Sequence, residues 1–356
     1  MNRVKNMENI LDYTREELAQ WLENKGVRPF RARQIFKWVY LKLAQSFDEM
    51  TDLGKPLRQM LEADFYVGSL DLENKQISSD TTEKFLFRLS DGHYIESVLI
   101  PEKDHFTICV STQVGCAMGC KFCLTARGGM KRNLSVAEII AQVRDARFHL
   151  MQKKIEPLKL SNIVFMGMGE PLANYDNLIK SLHILMDTDY GMKFAARKVT
   201  VSTSGVVPKI IHLGQDTNVN LAISLNATDD KTRSRLMPIN NKYPIHELLK
   251  ACRAFIMKPR NKITFEYILI QSINDSKEDA LRLVKLLAPI RAKVNLIPFN
   301  EHEGSEFKRP GLKIISGFLQ ILLDRNMTAI IRKSKGDDIS AACGQLKAKM
   351  VSLRQN

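Results

Sequence analysis

The sequence predicts an α/β fold: an incomplete (β/α)6-type parallel barrel, a small helical domain ahead of it and a β-hairpin extension. Three observations carry this. From residue 106 onward, short apolar β-branched runs alternate with amphipathic helical segments, as parallel strands joined by crossover helices do. The first 65 residues or so show only helical periodicity, and two apolar runs near residues 84 to 100 flank a turn. The 356 residues suit one large α/β unit with an appendage, since a closed eight-unit barrel takes about 250 residues alone.

In the N-terminal stretch Thr14 and Glu17 form a capping-box pair, Leu18, Trp21 and Leu22 supply an apolar face, and Gly26 ends the helix. Pro29 opens a second helix with Ala32, Ile35, Phe36, Val39, Tyr40 and Leu43 on one side. Its other side carries Arg31, Arg33, Lys37 and Lys42, which reads either as a solvated face or as one that tracks phosphates. Lys84 to Leu89 and Tyr94 to Ile100 flank Ser90-Asp91-Gly92-His93, a strand-turn-strand expected to join the appendage to the main domain. Strands are expected at 106–111, 162–166, 198–202, 220–225, 263–270, 294–298 and 328–332. Helices include 135–150, opened by the capping box Ser135 and Glu138, and 245–257. The expected division is 1–75, 76–105, 106–335 and a C-terminal loop and tail, 336–356.

Fifty-three Lys and Arg against 39 Asp and Glu give a formal charge of +14, which favours a polyanionic partner or, more plainly, marks a basic surface. The N-terminus has no apolar signal region and no apolar stretch approaches a membrane span of roughly 18 residues, so a cytoplasmic protein without membrane contact is expected. Six cysteines in such a chain argue for reduced thiols that bind metal or react, not for a disulfide scaffold.

Cys116-Ala-Met-Gly-Cys120-Lys-Phe-Cys123 is the densest chemistry in the chain. Three thiolates at C-x3-C-x2-C spacing can hold three corners of a [4Fe-4S] cluster and leave one iron open for a small ligand. A structural zinc site would need Cys109 as a fourth ligand, and the x6, x3, x2 spacing with a strand between the first two does not match the paired C-x2-C habit. If residues 106–111 form the first barrel strand, the three cysteines leave its carboxyl end, where barrel active sites lie.

This motif after a first strand, with Met166-Gly-Met-Gly-Glu170-Pro171 after the second, resembles the radical S-adenosylmethionine (SAM) superfamily. More narrowly, the chain resembles the RlmN/Cfr family of adenine methyltransferases, through Cys109-Val-Ser-Thr-Gln-Val-Gly-Cys116, Val199-Thr-Val-Ser-Thr-Ser-Gly-Val-Val-Pro208, Met237-Pro-Ile-Asn240, Asn295-Leu-Ile-Pro-Phe-Asn300 and Lys335-Gly-Asp-Asp-Ile-Ser-Ala-Ala-Cys343-Gly-Gln-Leu346. The resemblance implies a radical SAM barrel, one [4Fe-4S] cluster on Cys116, Cys120 and Cys123, and SAM as the second cofactor. It implies that Cys343 is methylated by one SAM, that a radical from a second SAM activates that methyl group for addition to adenine, and that Cys109 resolves the adduct as a disulfide. Glu96 matches the family's proton acceptor; Gly169, Glu170, Ser202, Ser224, Leu225, Asn226 and Asn300 match its SAM contacts. Asn226 departs from the pattern, for many members carry His there. Cys109 and Cys252 on their own read as small core residues, and the Gly-containing, charged run before Cys343 reads as a loop that exposes its thiol.

The function implied is methylation of C2 of an adenosine in 23S rRNA, with tRNA as a second substrate, the N-terminal helices as an RNA-binding accessory, flavodoxin or ferredoxin as electron donor, and a monomeric chain. The competing branch methylates C8, but Gly169-Glu170-Pro171-Leu172 resembles the C2 branch. A non-catalytic iron-sulfur RNA-binding or redox-sensing protein, with Cys109 completing a four-thiol cluster, is the alternative of another class. A methylthiotransferase would need a second cluster, for which the remaining cysteines are too scattered.

Overall fold

The computed structural model describes residues 7–153, 160–302 and 304–347; the first six residues, and 348–356 of the expected C-terminal tail, lie outside the described residues. Two short strands, β1 (Glu8–Asn9) and β2 (Phe65–Tyr66), close the N-terminal region around helices α1 (Arg15–Asn24), α2 (Arg31–Phe36) and α3 (Lys55–Asp64). Thr14 and Glu17 make both bonds of the capping box at α1. A π-helical turn, Lys37–Leu41, continues α2 and keeps Val39 and Tyr40 inward. Arg33, Lys37 and Lys42 are exposed on the opposite side, while Arg31 is half-buried.

Three antiparallel strands follow, β3 (Asp71–Ile77), β4 (Glu83–Arg88) and β5 (Tyr94–Pro101), and β5 pairs antiparallel with β6 (Phe106–Cys109). The hairpin therefore widens the main sheet instead of linking two bodies. The strand β3 was not expected from the sequence, and it runs across the boundary expected at residue 75; six of its seven residues are exposed, so its alternation has no apolar face to reveal it.

A side hairpin, β7 (Gln113–Gly115) with β8 (Met130–Asn133), brackets the cysteine loop and the short helix α4 (Leu124–Arg127). Beyond it come β9 (Leu160–Phe165), β10 (Val199–Thr203), β11 (Asn220–Ser224), β12 (Ile263–Leu269), β13 (Ala292–Pro298) and β14 (Ala329–Ile331). Together with β6 they form seven parallel strands in sequence order, within a ten-stranded sheet running β14-β13-β12-β11-β10-β9-β6-β5-β4-β3. The crossovers carry α5 (Val136–Gln152), α6 (Tyr175–Met186), α7 (Val207–Asp216), then α8 (Asp230–Leu236) with α9 (Ile245–Ala254), α10 (Lys277–Leu287) and α11 (Leu312–Asp324). Six crossovers and two unpaired sheet edges make the partial barrel that the strand and helix alternation predicts.

One apolar cluster runs from Leu18 and Phe36 through Ile139 to Ile163, Phe265 and Leu296, so the N-terminal helices and the barrel share a core. Arg144 of α5 pins the two together. It has no exposed surface and donates to the carbonyls of Val39 (3.2 Å), Leu43 (3.3 Å), Ala44 and Gly68 (3.4 Å). No helix among the described residues is long and apolar enough to cross a membrane.

Candidate active site

The carboxyl ends of the parallel strands open into a cavity with about 1130 Å³ of empty space, its open mouth included. Cys116, Cys120 and Cys123 form part of its wall, and Cys109 and Cys343 another part. Phe122, Met237, Phe299 and Phe307 pack around Cys120 and Cys123 as a separate apolar cluster, which keeps water from that side. Burial pushes the Cys116 thiol up to about 12 and the Cys120 thiol higher still, so both are protonated in the metal-free chain and would lose protons on binding iron.

Among the described residues no three His, Cys, Asp or Glu side chains gather tightly enough to hold one metal ion. A cubane asks for something different, because each thiolate binds a different iron and the sulfurs stay farther apart than the ligands of a single ion. Three thiols along one cavity wall, in an apolar setting with open volume before them, fit that group.

The loop after β9 is held by its acid. Glu170 is buried and accepts from Leu172 N–H (3.0 Å) through Oε1, and from Ser204 N–H and Oγ (both 2.7 Å) through Oε2. Its side chain ties the loop to the end of β10 and leaves backbone groups, not the carboxylate, to face a ligand. Gly169 has φ +97°, and a Cβ there would stand 2.5 Å from the Cβ of Gln113. Only glycine serves there. Gln113 itself receives the Glu170 N–H at 2.9 Å.

Ser202 and Ser224, at the ends of β10 and β11, line the cavity. Asn226 does too, but its side chain is engaged: Oδ1 accepts from Ile268 N–H at 2.8 Å and Nδ2 meets the Met237 sulfur at 3.3 Å. Its φ of +57° suits Asn better than most residues. Leu225 does not line the cavity. Its side chain is in the core, its N–H goes to the Glu266 carbonyl (3.1 Å) and its carbonyl accepts from Arg233 (3.1 Å), because the β11 end turns inward there.

Asn300 is likewise not in the cavity wall. It donates to the Cys343 carbonyl at 3.2 Å and accepts from Ser334 Oγ, so it holds the loop that presents the thiol. That loop is tethered rather than exposed. Lys84 Nζ donates to the Ile339 carbonyl (2.6 Å), Leu124 N–H to the Gly344 carbonyl (2.7 Å) and Thr125 Oγ1 to the Leu346 carbonyl (2.6 Å), while Ala341, Ala342 and Leu346 are buried. The polar run that reads as a mobile loop in sequence is engaged by Asp338, which accepts from Ser78 Oγ and Ser79 N–H. Cys343 is half-buried as a result.

Glu96 is buried, not solvent-facing. It shares the inward face of β5 with Val98 and Ile100 at period two, pairs with Lys84 Nζ at 3.3 Å, and accepts Lys347 N–H at 2.8 Å. It opens onto a second, polar cavity that Lys84, Ser340, Gln345 and Lys347 also line, so the Cys343 loop contributes to the walls of both cavities. Cys252 lies fully buried in α9, as its helix face implied.

Two residues of the first cavity have no counterpart in the sequence reading. Glu266 in β12 is buried; one oxygen accepts from Asn295 at 2.9 Å and the other has no hydrogen-bond partner among the described residues. An acid inside Ile-Thr-Phe-Glu-Tyr-Ile-Leu was its signal. Arg332, just past β14, reaches the Met166 sulfur at 3.8 Å and lies close enough to Cys343, Glu266 and Cys109 for their charges to act on it. Burial, reinforced by the nearby Cys343, raises the Cys109 thiol to about 12.

Residues 8–67 match the family described as the ribosomal RNA large subunit methyltransferase N-terminal domain, and residues 110–284 match the radical SAM superfamily. The chain is 56% identical over 356 residues to the dual-specificity RNA methyltransferase RlmN of Desulfosudis oleivorans, covering 100% of this chain and 95% of that protein. The chain belongs to the RlmN family. A second RlmN, from Geotalea uraniireducens, is 52% identical over 96% of this chain and 97% of its own length. The crystal structure of a radical SAM methyltransferase from Sphaerobacter thermophilus superposes with a TM-score of 0.90 at 44% identity, over 96% of this chain and 100% of that one. Radical SAM enzymes of this family use a [4Fe-4S] cluster and SAM, and the partial barrel and helical N-terminal region are those of the fold.

Proposed function

We propose that this RNA methyltransferase places a methyl group on C2 of an adenosine in 23S rRNA, with tRNA as a second substrate, and carries the one-carbon unit on Cys343. The observation that carries the reading is the position of the 336–347 loop between two cavities of opposite character. Cys343 and Gly344 line the thiol-walled one, while Ser340, Gln345 and Lys347 line the polar one with Glu96. A thiol in such a partition can receive a methyl group on one side and present it to a base on the other.

Cys116, Cys120 and Cys123 would hold the cluster, which would supply the electron that cleaves SAM to a 5'-deoxyadenosyl radical and would take one electron back from the RNA adduct. Cys343 attacks the sulfonium methyl of a first SAM and loses its thiol proton; the sulfonium to methyl bond breaks, S-adenosylhomocysteine leaves and a thioether remains on Cys343. That S-methyl group gives up a hydrogen atom to the 5'-deoxyadenosyl radical, forming 5'-deoxyadenosine, and its carbon forms the new bond to adenine C2, leaving an adduct radical with one electron to lose. Glu96 takes the C2 proton as the adduct loses that electron, which restores the aromatic base. Cys109 then attacks the Cys343 sulfur; the sulfur to carbon bond breaks, the product is protonated, and the two thiols remain as a disulfide that an external reductant, such as flavodoxin or ferredoxin for the cluster and a thiol for the disulfide, must reset. Arg332 beside both thiols supports the charge that develops on sulfur.

The exposed Arg33, Lys37 and Lys42 on the N-terminal helices support RNA contact through phosphates. Anaerobic reconstitution with SAM, reductant and RNA, followed by nucleoside analysis, tests the reading: 2-methyladenosine is expected, and 8-methyladenosine alone or no modified base contradicts it.

A further inference from the structure

Arg233 on α8 is fully buried, yet its hydrogen bonds are all to neutral acceptors. Nη2 donates to the Ser204 carbonyl (2.7 Å) and the Ser224 carbonyl (3.3 Å), Nε to the Leu225 carbonyl (3.1 Å), and Nη1 to Asn240 Oδ1 (2.9 Å). The fork thereby fixes the carboxyl ends of β10 and β11 against each other. The same helix braces the cysteine loop: Lys121 N–H donates to the Leu236 carbonyl at 2.9 Å, and a Cβ on Gly119 would touch Pro238 at 3.5 Å.

A guanidinium cannot shed its proton, and burying it without a counter-charge is severely unfavourable. Asp230, the carboxylate that acts on it, makes no ion pair with it and instead accepts from Asn240 and Ile245 N–H. Leu236, three residues along the same helix, receives the N–H of Lys121, the residue next to Cys120, so an anionic group held by that loop would stand near the buried guanidinium.

We propose that Arg233 is a positioning residue with two separable duties: its fork sets the strand ends that face SAM, and its fixed charge is the counter-ion of the cluster anchored through Cys120. The inference rests on the reading of the three cysteines as cluster ligands. One electron from an external reductant adds one negative charge to the cluster, and a fixed positive charge nearby favours that reduced state. Arg233 therefore raises the reduction potential.

Arg233→Lys and Arg233→Met are reconstituted anaerobically with iron and sulfide beside the unaltered chain. Iron and sulfide analysis gives cluster content, dithionite titration followed by absorbance and electron paramagnetic resonance gives the potential, and equilibrium dialysis gives SAM affinity. The Met variant is expected to move to a more negative potential and to bind SAM about tenfold more weakly or worse. The Lys variant keeps the charge without the fork, so its potential stays near that of the unaltered chain while its SAM affinity falls. A loaded Met variant with unchanged potential overturns the charge role, and a loaded Lys variant with unchanged SAM affinity overturns the fork role. If the Met variant takes up no iron, Arg233→Gln, which keeps a polar side chain without the charge, replaces it in the titration, and a loaded Gln variant with unchanged potential overturns the charge role. An unaltered chain that takes up no cluster refutes the cluster reading itself, whatever Arg233 does.

Discussion

Replacing Glu170 by Gln keeps the side chain's shape and removes its ability to accept hydrogen bonds at both ends. Donors alone converge on the carboxylate: Leu172 N–H on one oxygen, Ser204 N–H and Oγ on the other. An amide has one accepting end, so in either orientation its NH2 group confronts a backbone N–H. The better orientation keeps the Ser204 pair and strands Leu172. A bond to a charged acceptor contributes about 1.5–3 kcal/mol, and a buried unpaired donor costs about 1–3 kcal/mol. The two overlap, and a destabilisation of about 2–4 kcal/mol is expected for a site this buried. In urea, at a slope of about 3 kcal/mol/M, the midpoint of the metal-free chain should fall by about 1 M. Ser204→Ala, which removes only the hydroxyl, should cost about 1 kcal/mol. A Glu170→Gln midpoint within the error of the unaltered chain would refute the claim that an acceptor-only group holds the cofactor loop.

Three further outcomes follow from other parts of the structure. At Asn226 the left-handed backbone reverses the usual ranking of Ala over Gly: Asn226→Ala adds strain of about 1–2 kcal/mol to the lost bond at Ile268, so Asn226→Gly should be the more stable variant in urea denaturation, and the opposite order would contradict the assignment. Burial alone would raise the Glu83 carboxyl, but bonds from His149 and Lys153 bring it down to about 2; folded below unfolded, it stabilises above the ordinary carboxylate range and loses that contribution as pH falls from about 5 toward 2. Glu83→Gln should flatten the thermal midpoint over that interval, and an unchanged slope would count against the pairing. RNA affinity should fall with salt with a log-log slope of about −0.7 to −0.9 per phosphate contact, and Arg33→Glu with Lys37→Glu should make the slope shallower; an unchanged slope would move the RNA surface elsewhere.

The parallel barrel was legible because most of its strands are largely buried and read as apolar β-branched runs, each ending within a few residues of its expected limit. What escaped was polar structure. The exposed β3 lacks apolar alternation, so nothing in its side chains marks it as a strand. At the site, the spacing of Cys116, Cys120 and Cys123 and the glycines after β9 could be read directly, since each reflects a local requirement. The duties of Glu170, Asn226 and Asn300 could not, because a side chain matched to a ligand contact can instead be engaged with backbone that lies distant in sequence. Arg233 and Arg332 were invisible for the same reason, for nothing local distinguishes a buried arginine from the many on a basic surface.

The central claim is that Cys343 carries the one-carbon unit and Cys109 releases it. The direct measurement is made on Cys109→Ala, reconstituted anaerobically and incubated with SAM, reductant and RNA, then resolved on a denaturing gel with mass analysis of the Cys343 peptide. The variant should retain its iron and accumulate RNA bonded covalently to Cys343. Loss of the cluster, or release of methylated RNA at the rate of the unaltered chain, would contradict it.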